Sequence, residues 1–109
     1  MSIAEPILSK QRIEQMHQSK HWLDKTLLNY FDAAVAQFAY KPAVIAYRKG
    51  QAEKEVKTYQ ELAQLSDRLA AGLLKQGVQK GEVVSFQLPN IWEFVVVYLA
   101  CMRIGAISN

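Results

Sequence analysis

The fold of this chain is decided by residues 83–109, VVSFQLPNIWEFVVVYLACMRIGAISN. The apolar run that begins this stretch predicts a strand over residues 83–88, which Pro89 ends because proline has no N–H to donate. Residues 91–104 are apolar nearly all round, which predicts a helix covered on several sides. Gly105 ends that helix, and residues 106–109 begin another strand. Together they predict a right-handed βαβ unit, so the fold class is α/β with the start of a parallel sheet.

The best-marked helix of the sequence precedes this unit. Thr58 followed by Glu61 is a capping box, in which the hydroxyl accepts a hydrogen bond at the third helical position and the carboxylate accepts one from the cap. An apolar stripe follows at helical spacing; it consists of Tyr59, Leu62, Ala63, Leu69, Ala70, Leu73 and Leu74. Gly77 predicts a left-handed stop, with Val78 folding back on Leu73.

A further helix and a β-hairpin are predicted before residue 58. Thr26 is the candidate cap of a helix that Lys41-Pro42 ends. Its apolar face holds Leu27, Phe31, Ala34, Val35 and Phe38. Residues 43–47 then predict a short apolar strand, residues 49–51 a turn, and residues 54–58 a more exposed returning strand. The first 25 residues form a polar, weakly amphipathic lead-in.

Composition and charge exclude several classes of protein. Half of the 109 residues are hydrophobic, so a packed core is expected and disorder is not. The formal charge of +3 comes from 13 Lys and Arg against 10 Asp and Glu, and because the basic residues are spread out, no nucleic-acid surface is predicted. The longest apolar run, residues 94–102, is too short to span a bilayer. Met1 to Leu8 lacks the pattern of a secretory signal, so a cytoplasmic protein is expected.

Four side chains that often carry chemistry have simpler expected roles here. His17 and His21 stand four positions apart, but two histidines make a metal site only with further ligands. A solvated or packing role is therefore expected for both. Cys101 cannot form an intrachain disulfide, and it is expected to be a small buried hydrophobe in a reducing compartment. Glu61 is interpreted as a helix cap rather than as an acid or base.

One pattern resembles a functional motif but does not meet its requirements. Gly72 and Gly77 have the spacing of a phosphate loop, yet Val78-Gln79 stands where Lys and Ser or Thr are needed. Gly72 also falls inside the predicted helix, so it is interpreted as a helix-packing glycine. Asn90 and Glu93 repeat the capping pattern for the helix at 91–104. The sequence therefore predicts no catalytic, cofactor-binding or metal-binding residue.

Five pieces of the chain, in order and at fixed spacing, resemble one family. They are TYQEL at 58–62, LAAGL at 69–73, GVQKGEVV at 77–84, LPNIWEF at 88–94 and LACMRIGA at 99–106. They resemble the amino-terminal region of AMP-forming acyl-CoA synthetases, which are adenylate-forming ligases. The resemblance implies that residues 26–109 are a partial amino-terminal subdomain of an AMP-binding domain, a truncated first part of its large domain, after a lead-in at 1–25. Residues 22–27, WLDKTL, resemble ligases for medium-chain or alicyclic acids.

The resemblance also implies a two-step reaction of a longer parent enzyme. A carboxylic acid substrate attacks the α-phosphate of ATP with Mg²⁺, which gives an acyl-adenylate and pyrophosphate, and the thiol of coenzyme A then takes the acyl group. In this family the phosphate loop, the Mg²⁺ glutamate, the ribose-binding acid and the mobile lysine all come after the point where this chain stops. No site residue is carried over, and the fragment alone is expected to bind no cofactor and to be inactive.

Two readings of the chain remain open at this stage. The first is a fragment of such a ligase, and the second is a non-catalytic α/β interaction module on the same scaffold. A reading frame that continues past Asn109 into a Gly/Ser/Thr-rich loop with a Lys would distinguish them. In either case residues 106–109 and the helix faces that carry Val95, Val97, Tyr98 or Met102 are expected to be left bare, so self-association of the fragment is predicted.

Overall fold

The computed structural model describes residues 8–109, which form four helices and four strands. In chain order these are α1 (Lys10–Gln18), α2 (Leu27–Phe38), β1 (Pro42–Ala46), β2 (Glu55–Thr58), α3 (Tyr59–Lys75), β3 (Val83–Val84), α4 (Trp92–Ile104) and β4 (Ile107–Ser108). The strands form two separate two-stranded sheets, β1–β2 and β3–β4. The predicted α/β class is confirmed. Residues 1–7 lie outside the described residues. They include part of the predicted lead-in and most of the segment that lacks the pattern of a secretory signal.

Helix α1 lies in the lead-in, where the sequence analysis predicted no helix. Its cap is Ser9, whose hydroxyl accepts a hydrogen bond from Arg12 N at 3.2 Å. The helix buries none of its residues. A helix of nine residues without a buried face gives only a weak apolar period, which is why the sequence did not reveal it.

Helix α2 begins at Thr26 as predicted, and its cap has a second partner that the sequence analysis missed. Thr26 accepts a hydrogen bond from Asn29 N at 3.3 Å, and the Asn29 side chain accepts one from Thr26 N at 2.8 Å. Asn29 thus has the role that Glu or Gln has in the usual capping box, where the side chain accepts a hydrogen bond from the cap residue. Beyond the helix, Lys41 N donates to Phe38 O before the chain enters β1.

Strands β1 and β2 form the predicted antiparallel hairpin. Ile45 lies opposite Val56, and Ala46 opposite Glu55, with an irregularity in register between Pro42 and Val44. Strand β1 starts and ends one residue earlier than predicted. Pro42 can be its first residue, because at that position the missing N–H removes no hydrogen bond between the strands. The turn contains Gly50 at φ 85°, in the region that favours glycine.

Helix α3 has both predicted ends. Thr58 and Glu61 form the capping box, with hydrogen bonds of 3.1 and 2.8 Å. Val78 N donates to Leu73 O at 3.1 Å, and Gly77 at φ 95° donates to Leu74 O at 3.0 Å, which is a Schellman motif. Two details of the prediction are wrong. Leu74 is 55% exposed although it was placed in the apolar stripe, and Ser66, which was not, is fully buried with its hydroxyl bonded to Ala63 O.

Gly72 is not a packing glycine, contrary to the sequence-based interpretation. A methyl group added at its Cα would meet no other heavy atom within 4 Å, and the residue is exposed. The position faces solvent because the buried side of α3 is carried by Leu62, Ser66 and Ala70, at helical spacing. Gly72 therefore fits the helix without being needed for any contact that the structure shows.

In the chain, β3 precedes α4 and β4 follows it. The two strands pair in parallel, which confirms the βαβ unit. Val83 lies opposite Ile107, and Val84 opposite Ser108. The first strand is two residues long, where the sequence predicted residues 83–88. Strand β3 is short because its ladder of hydrogen bonds can extend only as far as its partner strand, β4. One further bond, from Phe86 N to Asn109 O at 2.9 Å, continues the pairing.

The core lies between α3 and α4, and it is small. Its fully buried centre consists of Leu62, Val96 and Leu99. Half-buried side chains from α2, the hairpin and both helices pack around it; they are Leu28, Phe31, Ala43, Val44, Leu65, Leu69, Trp92, Val95 and Met102. Helix α4 ends at Gly105, which has φ 72° as the predicted stop requires. None of the helices described over residues 8–109 is both long and apolar enough to cross a membrane.

Candidate functional site: the groove between the hairpin and helix α4

A groove of about 230 Å³ lies between strand β1 and the start of helix α4. One wall is residues 44–47 at the end of β1, and the other is formed by Asn90, Ile91 and Val95. The second wall belongs to the connection that leaves the carboxyl end of β3. Ligands of open α/β folds bind outside the carboxyl ends of parallel strands. We therefore take this groove, which borders the connection that follows β3, as the candidate functional site.

Arg48, the residue after Tyr47 of the first wall, connects the hairpin to helix α4. Its Nη2 atom donates to Glu55 Oε2 at 3.1 Å and to Glu93 Oε1 at 2.6 Å. About a third of each of the three side chains is exposed. The hydrogen bonds to Glu55 and then Glu93 raise the pKa of Arg48 above its ordinary value. Because both carboxylates stabilise the cation, one guanidinium holds the hairpin and helix α4 together.

Glu93 does not act as a capping partner, so the predicted cap of this helix is wrong. The N-cap residue of α4 is Ile91, which makes no side-chain capping bond, and Asn90 lies outside the helix. Glu93 turns to Arg48 instead, because a guanidinium within 2.6 Å is a stronger partner than a neutral amide N–H. Its second oxygen, Oε2, is buried without a hydrogen-bond partner.

A second cation of the hairpin reaches the start of the same helix. Lys57 Nζ, from strand β2, lies 4.6 Å from the centroid of the Trp92 ring. A cation at this distance over an indole face is attracted by the ring quadrupole. Trp92 also packs against the buried core cluster. The first two residues of α4 are thus both contacted by the hairpin.

The two histidines lie near each other at the end of α1 but form no metal site in the described residues. His17 is on the helix, whereas His21 follows it, with Nδ1 2.6 Å from Ser19 Oγ. His17 contacts the edge of the Trp22 ring and lies 3.7 Å from Asp24. No group of three or more His, Cys, Asp or Glu side chains within residues 8–109 could hold a metal ion. Both imidazoles are exposed, which agrees with the predicted solvated role.

Cys101 and Glu61 also take the roles that the sequence predicted. Cys101 is completely buried, and that burial raises the pKa of its thiol, which keeps the sulfur protonated and unreactive. The carboxylate of Glu61 is used by the cap of α3. Arg48 and Lys57 were missed, because their contacts with α4 span 45 and 35 positions of the sequence. No local sequence pattern predicts a contact between residues so far apart in the chain.

Comparison with known proteins decides the family. The AMP-binding enzyme family matches residues 31–109, which include helices α3 and α4 and all four strands. This chain belongs to the AMP-binding enzymes. Its fold is that of the amino-terminal region of adenylate-forming enzymes. The family resemblance read from the five sequence pieces is confirmed.

The relatives of this AMP-binding chain are ligases of carboxylic acids. It is 33% identical over 100 residues to the medium-chain fatty-acid–CoA ligase of Escherichia coli K12, which covers 92% of this chain and 17% of the relative. It is also 37% identical over 97 residues to the acetyl-coenzyme A synthetase of Aeromonas hydrophila. That match covers 85% of this chain and 15% of the relative. The chain thus spans about a sixth of the length of these curated relatives.

Solved structures show the same likeness. The apo structure of Mycobacterium smegmatis MbtA matches with a TM-score of 0.81 and 31% identity, over 93% of this chain and 18% of that one. The amino-terminal subdomain of Klebsiella oxytoca NpsA matches with a TM-score of 0.67 and 30% identity, over 77% of this chain and 20% of that one. The described fold therefore matches these solved structures over most of its length.

Proposed function

We propose that this chain is the amino-terminal scaffold of an AMP-forming acid–coenzyme A ligase. The parent enzyme would activate a carboxylic acid with ATP and Mg²⁺ to an acyl-adenylate and transfer the acyl group to coenzyme A. The observation that carries the proposal is the family match over residues 31–109, together with a fold that superimposes on MbtA at a TM-score of 0.81. In this division residues 26–109 are part of the AMP-binding domain and residues 1–25 are its lead-in.

The proposed substrate class is a medium-chain or alicyclic carboxylic acid. The medium-chain fatty-acid–CoA ligase among the relatives supports this class, as does the lead-in at residues 22–27. A role in fatty acid metabolism and a cytoplasmic location belong to the same proposal. The acetyl- and salicylyl-activating relatives show that one amino-terminal scaffold occurs with acids of different size.

The chain's own contribution would be structural rather than chemical. Adenylation requires groups that hold phosphates and a metal ion. Over residues 8–109 the titratable side chains with clear roles are used in caps and ion pairs, such as Glu61 at α3 and Arg48 at the groove. We therefore propose that residues 1–109 alone have no catalytic, cofactor-binding or metal-binding residue and are inactive.

Expression of the whole reading frame tests the proposal. We expect the frame to continue past Asn109 into a Gly/Ser/Thr-rich loop with a Lys, and the full-length product to form acyl-CoA from a medium-chain acid, ATP and coenzyme A. A frame that closes at Asn109 would favour the alternative, a non-catalytic interaction module on this scaffold. A soluble full-length product that forms no acyl-CoA with acids from acetate to decanoate or with cyclohexanecarboxylate would contradict the proposal.

A further inference from the structure

Helix α4 begins without the side-chain cap that the other described helices have. Ser9, Thr26 and Thr58 each accept a hydrogen bond from the first turn of α1, α2 and α3. At the same position α4 has Ile91, which has no oxygen in its side chain. The first backbone N–H groups of a helix have no partner within the helix, so an uncapped start tends to fray.

The hairpin supplies contacts to the first two residues of this uncapped helix. Lys57 lies over the ring of Trp92, and Arg48 donates to Glu93. A positive charge near a helix amino terminus is unfavourable to the helix dipole. Both cations nevertheless lie there, and each contacts a side chain rather than the backbone. Their contacts therefore anchor the first turn through its side chains.

The hairpin is itself braced for this contact. Arg48 is the second residue after β1 and is held by Glu55, the first residue of β2, through the same nitrogen that binds Glu93. Glu55 lies opposite Ala46 in the hairpin register. The turn of the hairpin, the start of β2 and the first turn of α4 are thus joined through one nitrogen atom.

We propose that the β1–β2 hairpin acts in place of the missing cap of helix α4. Arg48 and Lys57 are positioning residues, which fix the first turn of α4 and, through it, the connection at residues 85–91. That connection leaves the carboxyl end of β3 and forms one wall of the groove, with Asn90 and Ile91. The hairpin therefore sets the geometry of this wall of the groove. The inference does not depend on the proposed ligase activity.

Amide hydrogen exchange of the 109-residue chain measures the anchoring directly. The reporters are the amides of Val95, Val96 and Val97, which need a formed first turn, and the amides within residues 65–69 of α3 serve as the internal reference. Arg48→Gln removes the charged hydrogen bonds to Glu55 and Glu93. Loss of the bond to Glu93 is expected to speed exchange at residues 95–97 by about threefold to tenfold. The reference amides are expected to stay unchanged. Lys49→Gln, which removes the same charge one position along, is the matched control and is expected to leave both unchanged.

A cap introduced at Ile91 separates this role from general stabilisation. Ile91→Thr provides a hydroxyl that can accept from the first turn, and it is expected to restore most of the protection lost in Arg48→Gln while changing the wild type little. The lost methylene contacts are common to both backgrounds and cancel in the double-mutant cycle. Equal effects of Ile91→Thr in both backgrounds would overturn the proposal. So would exchange in Arg48→Gln that matches Lys49→Gln, or that accelerates equally in α3.

Discussion

Arg103 donates two hydrogen bonds to Asp32, at 2.9 and 2.7 Å, and so joins helix α4 to helix α2 across 71 positions of the sequence. The Arg103 Nε atom also lies 3.6 Å from Asp67 of α3. One guanidinium near the end of α4 therefore contacts the two other helices that pack on it. The hydrogen bonds from Arg103 lower the pKa of Asp32 below its ordinary value, because they stabilise the charged carboxylate.

The lowered pKa of Asp32 predicts a pH-dependent contribution to folding. A carboxylate with a lower pKa in the folded state stabilises the fold at pH values above its unfolded pKa, about 3.9. That contribution is lost as the pH falls through the lower folded pKa. Because Asp32 is half exposed, we expect Asp32→Asn to reduce the free energy of unfolding at pH 7 by only about 0.5–1 kcal/mol.

Urea unfolding at two pH values checks this contribution. The difference between the wild type and Asp32→Asn is expected at pH 7 and should be smaller at pH 2. Asp24→Asn is a control, since this exposed carboxylate of the lead-in lies beside His17 and is not a partner of Arg103. A difference for Asp32→Asn that persists undiminished at pH 2 would show that the ion pair is not its cause.

The capping box of α3 predicts a loss of stability on removal of one hydroxyl. Thr58→Ala removes the acceptor for Glu61 N and should lower the free energy of unfolding by about 0.5–2 kcal/mol. Thr58→Ser keeps the hydroxyl and should retain most of the stability. The denaturation midpoints of the two variants provide the comparison. An unchanged midpoint for Thr58→Ala would mean that the cap contributes nothing.

Gly72 in α3 and Gly77 just beyond its end predict opposite effects of alanine. Gly72 is exposed in the helix interior, and a methyl group there meets nothing within 4 Å. Gly72→Ala should therefore stabilise the chain by about 0.5–1 kcal/mol, because glycine is the poorer helix former. Gly77 has φ 95°, so Gly77→Ala should destabilise it by strain, and a β-branched residue should cost at least as much. Destabilisation by Gly72→Ala would restore the interpretation as a packing glycine.

Local signals made most of the fold predictable. Thr58 with Glu61 and Gly77 with Val78 act within a few residues, so the sequence located both ends of α3. The partners of Glu93 and Arg103 lie 45 and 71 positions away, so their choice depends on how the helices pack. The solvent-facing side of Gly72 and the short length of β3 depend on the same packing. The lack of catalytic residues in this segment was inferred from the missing motifs and from the family resemblance, and it stays a prediction.

The exposed apolar surface of α4 was predicted in part. Val95 and Met102 pack against the core, contrary to the expectation that they would be bare, because hairpin and helix side chains reach them. Phe94 and Tyr98 are 41% and 40% exposed, and the edge of β4 is paired only with β3 in the described fold. Full burial of one such aromatic side chain is worth about 1.5–3 kcal/mol.

We therefore still expect the isolated chain to self-associate or to stay loosely packed. Light scattering behind a sizing column, with a dye for exposed apolar surface, tests this. Tyr98→Lys should reduce both association and dye binding, whereas Tyr40→Lys, at a position 82% exposed in the connection between α2 and β1, should not. A compact monomer with no dye binding and sharp cooperative unfolding would show that the core is self-sufficient.

A chimera tests most directly the central claim that this chain is the amino-terminal scaffold of an acid–coenzyme A ligase. Residues 1–109 would replace the aligned segment of the E. coli medium-chain fatty-acid–CoA ligase, and ATP–pyrophosphate exchange would be measured with octanoate. Residues 1–109 alone and a chimera with Leu62→Asp, which places a charge in the buried core, serve as controls. The account predicts octanoate-dependent exchange by the chimera and none above buffer by either control. A soluble, monodisperse chimera without exchange, or clear exchange by residues 1–109 alone, would contradict it.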